Sequence, residues 1–150
     1  MNNRRKLVIA LGASVLTAPL ASFAQPNKVW RIGFLGEIEP FRSVGRLEGF
    51  KAGLSALGYT EGKDYVIERR FAQSDFTRLP VLATELVTLR VDIIISAGTP
   101  SAVAARQATR EIPILIATVG DPVGSGLAAS LAHPGGNVTG LTGLASELDT

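Results

Sequence analysis

Cysteine is absent from this sequence of 150 residues, and histidine, tryptophan and methionine each occur once. The absence of cysteine excludes disulfide bonds, thiol nucleophiles and a lipid-modified cysteine anchor. The single histidine, His133, leaves no second imidazole for a His-based metal cluster, and it lies outside the polar turns described below. The residues therefore predict no metal site, and they contain no evident activated nucleophile.

Nucleotide-binding motifs are missing as well. The segment 120–126, GDPVGSG, lacks the Gly-Lys-Ser/Thr of a P-loop, and residues 33–40, GFLGEIEP, do not match Gly-x-Gly-x-x-Gly. We therefore expect no cofactor. Lysine and arginine alternate with acidic residues instead of forming a basic stripe, so the sequence also predicts no nucleic-acid partner.

Residues 1–24 are typical of a secretory signal peptide. Three basic residues at 4–6 precede an apolar stretch at 7–18, and small residues follow. This stretch is shorter than the roughly 20 residues that cross a bilayer. We expect cleavage between Ala24 and Gln25 and export to the periplasm, by either the Sec or the twin-arginine route. Without residues 4–6 the basic count falls from 15 to 12 against 13 acidic residues, so the alkaline composition comes largely from the segment that is removed.

From residue 25 onward, strand-like and helix-like patterns alternate. The predicted strands are 29–36, 64–72, 91–98, 112–120 and 137–144, and the predicted helices are 43–59, 77–90, 100–110 and 122–132. Such alternation is typical of an α/β fold, a doubly wound parallel sheet with helices on both faces. We expect one such lobe over residues 25–146, with 147–150 beginning a further element.

Local signals predict where the first two helices begin and end. The first helix carries an apolar face, formed by Leu47, Phe50, Leu54 and Leu57. Gly58 is its predicted C-cap. In the second helix Pro80 is tolerated only in the first turn, which favours Thr77 over Asp75 as the N-cap.

Two of the predicted strands end in the same pattern. Ser96-Ala97-Gly98-Thr99-Pro100 and Thr118-Val119-Gly120-Asp121-Pro122 each give a hydroxyl residue, a small apolar residue, glycine, a capping residue and proline. We expect Thr99 and Asp121 to be N-caps, with each proline as the first helical residue. Two helix N-termini would then lie at the carboxyl edge of the sheet, where open parallel sheets bind ligands.

Two readings of this repeat stay open from the residues alone. In one, the turns only cap helices and bind nothing. In the other, they form a cleft for a small polar ligand, in which backbone N–H groups donate to a ligand carboxylate and Asp121 binds an amino group. A zwitterion such as an amino acid fits the second reading.

Several segments resemble the periplasmic substrate-binding proteins of ABC transporters, a family that includes tryptophan-type binders. The resemblance runs through segments at 31–36, 48–72, 78–87, 91–109 and 113–142. Its most specific parts are the GTPSA turn at 98–102, the DPVGSGL turn at 121–127 and PGGNVTG at 134–140.

The resemblance implies the flavodoxin-like first lobe of a type 1 periplasmic binding protein. Its partners would be a small-molecule ligand and an ABC permease in the inner membrane. Such proteins are longer than this chain, and their second lobe, absent here, is expected to pack on the cleft edge. Carried over by position, the ligand-binding residues are Gly36, Glu37, Ser96, Gly98, Thr99, Ser101, Thr118 and Asp121.

Two other functions remain as alternatives. The first is a ligand-sensing domain of a periplasmic receptor built on the same fold. The second is an exported hydrolase or isomerase that uses Glu37, Asp121 and the neighbouring hydroxyls. The resemblance favours a binding protein over an enzyme.

Overall fold

The computed structural model describes residues 28–38, 40–130 and 135–142. The predicted signal peptide at 1–24, the last residues at 147–150 and His133 lie outside these ranges. Within them, strands and helices alternate along the chain as far as β4, as the sequence predicts.

Five strands and three α-helices form the described lobe. The strands are β1 (Trp30–Gly36), β2 (Tyr65–Phe71), β3 (Ile93–Ala97), β4 (Ile114–Val119) and β5 (Val138–Thr142). The helices are α1 (Pro40–Ala56), α2 (Leu79–Thr88) and α3 (Thr99–Ala108), and a 3-10 turn at Phe76–Arg78 precedes α2. All five predicted strands and three of the four predicted helices are confirmed.

The fourth predicted helix, at 122–132, is wrong over the residues that the structure describes. Residues 122–126 form turns, and bends follow as far as residue 130. Gly126 has a left-handed φ of +70°, which a right-handed helix does not accommodate. Gly124 and Gly126 also weaken any helix here, since each glycine costs about 1 kcal/mol relative to alanine in a helix interior.

The sheet is entirely parallel, with the strand order β2-β1-β3-β4-β5. This is the flavodoxin-like order of doubly wound α/β folds, in which the strand order reverses between β1 and β3. Gly36 pairs with Phe71 of β2 on one side and with Ala97 of β3 on the other. The carboxyl ends of these strands therefore meet at one edge, which we call the carboxyl edge.

Helices cover both faces of the sheet. On one face, α1 packs through buried Leu47 and half-buried Phe50 and Leu54. On the other, α2 and α3 enclose a larger core with fully buried Leu35 and Ile94. The near-continuous apolar character of the central strands follows from this two-sided burial.

The end of α1 confirms one predicted cap and corrects one predicted core residue. Gly58 has a φ of +87°, and the N–H groups of Gly58 and Tyr59 donate to the carbonyls of Ser55 and Leu54, each at 2.9 Å. This is the Schellman arrangement that favours glycine. Leu57, predicted on the apolar face, is 74% exposed because the helix ends at residue 56 and the chain turns away.

The start of α2 corrects a predicted N-cap. Asp75, not Thr77, caps this region, since its carboxylate accepts hydrogen bonds from the backbone N–H and the hydroxyl of Thr77. The 3-10 turn inserts three residues before the α-helix, so Pro80 still lies in the first turn of α2. A proline in the first turn has therefore not determined which residue caps it.

Candidate functional site

The carboxyl edge contains the ends of β1, β3 and β4, and all eight predicted ligand-binding residues lie at or beside these ends. Glu37 follows β1, residues 96–101 span the end of β3 and the start of α3, and residues 118–121 close β4. The edge between β1 and β3 is the position where the strand order reverses. Open parallel sheets generally bind ligands at such a position.

Glu37 and Ser101 join the ends of β1 and β3. The Glu37 Oε1 atom accepts a hydrogen bond from the Ser101 backbone N–H at 3.2 Å and lies 3.5 Å from the Ser101 hydroxyl oxygen. These residues are 64 positions apart in the chain. Their contact therefore depends on the parallel pairing of β1 with β3.

Gly98 makes this contact possible. Its φ is +113° and its ψ is 161°, in a region that only glycine adopts readily. A Cβ atom at position 98 would overlap the Glu37 carboxylate. The glycine thus leaves the space in which Glu37 lies.

The predicted cap of α3 is wrong. The helix begins at Thr99, and its N-cap is Gly98, which has no side chain to form the capping hydrogen bond. Pro100 is accordingly the second helical residue. The Ser101 amide, one of the first-turn N–H groups that lack a helical partner, donates to Glu37 instead.

The hydroxyls of Ser96 and Ser101 lie inside the protein. Both residues are fully buried, and their oxygens are 2.9 Å apart. Ser101 also donates to the carbonyl of Gly98 at 3.0 Å. These hydroxyls support the turn from behind, and direct ligand contact by either one stays a prediction.

Thr118 has an unusual backbone for a β-branched residue. Its φ is +60°, and it is the extra residue of a β-bulge, because Ala117 and Val119 pair with the adjacent residues Leu141 and Thr142 of β5. Its side chain is exposed, and its hydroxyl donates to the Ala117 carbonyl at 2.6 Å. Bulges beside functional sites commonly redirect a side chain in this way.

Asp121 caps an isolated turn rather than a helix. Its Oδ1 atom accepts from the Gly124 N–H at 2.7 Å, and the Ser125 hydroxyl donates to its carbonyl at 2.6 Å. The carboxylate is exposed. The two similar sequence patterns therefore give different structures, and only the first begins a helix among the described residues.

The loop after β2 is a part of this edge that sequence reasoning missed. The N–H groups of Ala72 and Ser74 donate to the carbonyls of Gly36 and Glu37, at 3.0 and 2.9 Å. Gln73 and Ser74 have φ values of 56° and 67°. Left-handed φ is enriched at Gly, Asn and Asp, so the residues Gln-Ser carry no local signal for it.

The resolved shifts in pKa lie away from the carboxyl edge. Burial alone raises the pKa of Asp92, but hydrogen bonds from the Arg31 N–H and the Lys28 ammonium outweigh it, so this pKa is lowered. Asp92 precedes β3 and therefore lies at the amino end of the sheet. On α1, the hydrogen bond from Lys51 to Glu61 raises the pKa of Lys51.

An apolar groove of about 310 Å³ opens between the N-terminal ends of α2 and α3. Thr99 and Pro100 line one side, and Phe76 and Pro80 line the other. Thr99 is the one predicted site residue in its lining, so the groove adjoins the predicted site without coinciding with it.

Across residues 28–38, 40–130 and 135–142, no group of three or more His, Cys, Asp or Glu side chains is placed to hold a metal ion. Within the same part of the chain, no helix is both long and apolar enough to cross a membrane.

Comparison with protein families matches residues 43–149 to a family described as ABC transporter substrate binding protein. Among curated proteins, a tyrosine-binding protein of Clostridioides difficile (strain R20291) is 42% identical over 93 residues, which are 62% of this chain and 27% of that protein.

Solved structures give the same picture. The ligand-free, open structure of a substrate binding protein with adhesive properties from Clostridium difficile is 35% identical, with a TM-score of 0.75, and the match covers 79% of this chain and 40% of that one. An ABC domain from Streptococcus pneumonia in complex with L-Trp is 28% identical, with a TM-score of 0.71, covering 77% and 39%. The chain thus spans less than half the length of these relatives.

Proposed function

Because the chain belongs to the family of ABC transporter substrate-binding proteins, we propose that its carboxyl edge binds a small polar ligand such as an amino acid. The described lobe is the flavodoxin-like lobe of a type 1 periplasmic binding protein. In the proposed function this lobe supplies one wall of the ligand cleft, and a second lobe that packs on the cleft edge supplies the other.

The junction of Glu37, Gly98 and Ser101 is the observation that carries the proposal. It lies at the carboxyl ends of β1 and β3, where the strand order reverses, which is the usual ligand position in this class of sheet. Thr118 and Asp121 extend the same edge with an exposed hydroxyl and an exposed carboxylate. The names of two relatives, which refer to tyrosine and to L-Trp, support an aromatic amino acid as the first ligand to test.

The proposed setting is the periplasm. Residues 1–24 would direct export and be removed, and the ligand-loaded protein would deliver its cargo to an ABC permease in the inner membrane. A binding role also fits the names of the relatives, which describe binding proteins rather than enzymes.

The test is a ligand titration of the exported chain, from residue 25 onward, followed by the NMR shifts of its backbone amides. L-tyrosine and L-tryptophan are the first probes, and the other proteinogenic amino acids complete the panel. Binding should shift the backbone amides of Gly98, Thr99 and Ser101 and those at 118–121. An absence of binding by every compound, or shifts confined to the amino end of the sheet, would contradict the proposal.

A variant pair adds a test of the site itself. Asp121→Asn should weaken binding of a ligand with an ammonium group by about tenfold, since it removes the charge from one hydrogen-bond acceptor. Asp64→Asn is the matched control, because Asp64 also accepts a backbone N–H, from Thr60 at 2.8 Å, but precedes β2 at the opposite end of the sheet. Equal ligand affinities in the Asp121→Asn and Asp64→Asn variants would show that Asp121 does not contact the ligand.

A further inference from the structure

The two oxygens of the Glu37 carboxylate have different surroundings. Oε1 is held by the backbone N–H of Ser101 and lies near its hydroxyl. Oε2 has no hydrogen bond to any residue that the structure describes, and no ion pair among those residues includes Glu37. The residue is half-exposed. One oxygen is therefore fixed by the fold while the other stays available.

The Glu37 carboxylate also occupies the position at α3 that would otherwise attract an anion. A helix N-terminus has free N–H groups and a partial positive charge, which favour a carboxylate. Here the Ser101 amide is already bonded to Glu37, and Pro100 contributes no N–H. A ligand carboxylate at this point would have to displace Glu37 and would meet its negative charge.

The exposed hydroxyl of Thr118 leaves an acceptor rather than a donor for a ligand. Thr118 donates to the Ala117 carbonyl, whereas the Ser101 hydroxyl, which donates to the Gly98 carbonyl, is fully buried. A hydroxyl that has donated its proton can still accept a hydrogen bond through its lone pairs.

We propose that Glu37 determines the charge selectivity of this wall, by excluding a ligand carboxylate from the N-terminus of α3 and accepting a protonated amine at Oε2. This inference rests on the proposed function and specifies its ligand chemistry. It reverses the assignment expected from the sequence, in which the amides of this turn bind the ligand carboxylate. Glu37 then acts as a specificity-determining residue, and Gly98 and Ser101 hold it in place.

Three related probes separate the two charges of an amino acid. L-tyrosine has both an ammonium and a carboxylate group, tyramine keeps only the ammonium, and 3-(4-hydroxyphenyl)propanoate keeps only the carboxylate. The exported chain should bind tyramine within about tenfold of L-tyrosine and bind the propanoate at least about tenfold more weakly. This comparison needs no variant and so does not depend on how any substitution folds.

Glu37→Gln tests the residue directly, since the amide oxygen can still accept from Ser101 while the charge is lost. Affinity for L-tyrosine and tyramine should fall about ten- to a hundredfold, and affinity for the propanoate should stay the same or rise. Asp64→Asn, the control at the opposite end of the sheet, should leave all three affinities unchanged.

The outcomes distinguish this inference from the proposed function. If none of the amino acids or these probes binds the unmodified chain, the proposed function fails and this inference fails with it. If the propanoate binds as tightly as tyramine, or if Glu37→Gln weakens all three probes equally, only the inference is overturned. Selective loss of the two amines supports both.

Discussion

Replacing Gly98 with alanine should destabilise the lobe far more than the same change at Gly120. The two glycines occupy the same position in the repeated pattern at the ends of β3 and β4. Gly98 has a φ of +113°, and a Cβ there would overlap the carboxylate of Glu37. Gly120 has no positive φ, and a Cβ there would have no atom within 4 Å.

The expected loss has two sources. Placing a non-glycine residue in the backbone region of Gly98 costs about 1–3 kcal/mol. Displacing Glu37 removes the bond that it accepts from Ser101, and the loss of such a cap costs about 0.5–2 kcal/mol. Alanine returns about 0.4–1 kcal/mol because it restricts the unfolded chain. Gly98→Ala should therefore lower the free energy of unfolding by about 2.5 kcal/mol, the middle of a range of about 0.5–4.5 kcal/mol, whereas Gly120→Ala should change it by less than about 0.5 kcal/mol.

Urea unfolding followed by circular dichroism measures the free energy of unfolding of both variants. The dependence of this free energy on urea concentration, the m-value, should be the same for both. A double-mutant cycle with Glu37→Ala separates the two sources. Once the Glu37 side chain is gone, Gly98→Ala should cost about 1 kcal/mol less, because the backbone strain remains and the overlap does not. Equal stability of the Gly98→Ala and Gly120→Ala variants, or strict additivity in the cycle, would refute this account of the junction.

Three other substitutions test separate features by the same unfolding measurement. Gly140→Ala should cost about 3 kcal/mol or more, since Gly140 has a φ of +143° and its Cβ would overlap the backbone of Ile116; a loss below about 1 kcal/mol would argue against the β4–β5 pairing. Thr118→Gly should raise the free energy of unfolding by about 0.5–1 kcal/mol, because glycine relieves the strain of the left-handed backbone. The control Thr139→Gly lies in an ordinary strand conformation and should lower the free energy of unfolding by about the same amount. Lower stability in both variants would show that Thr118 is unstrained. The lowered pKa of Asp92 contributes stability above the pKa of this group in the unfolded chain, and that contribution is lost as the pH falls through the pKa in the folded protein. Asp92→Asn should therefore destabilise the lobe at pH 7. It should also make the lobe lose less stability in the acid range, below the ordinary aspartate pKa of 3.8. An unchanged pH profile in Asp92→Asn would contradict that contribution.

Much of the fold could be predicted because its signals are local. The buried runs of β3 and β4 and the 3.6-residue periodicity of α1 are readable from short windows, and each gave the right element. The parallel sheet followed from their alternation. The exact ends of helices were less predictable, since Asp75 and Gly98, rather than Thr77 and Thr99, precede the first turns.

The predicted helix at 122–132 failed because proline after aspartate is only a start signal. Asp121 does accept a hydrogen bond from an N–H three residues ahead, as an N-cap would. Gly126 then adopts a left-handed φ of +70°, and the chain leaves the helical path. A capping residue begins a helix only when the following residues can continue it.

The sequence by itself determined the class of the fold, the edge of the sheet at which the polar turns lie, and the family. The fold class depends on periodicity, the edge depends on strand direction, and the family depends on motifs that resemble those of known proteins. Only the tertiary structure decided what the two similar turns do. Glu37 reaches Ser101 across 64 residues because β1 pairs with β3, and no local pattern encodes that distance. The turn after β3 therefore holds a carboxylate at a helix N-terminus, whereas the turn after β4 carries a bulge and an isolated cap.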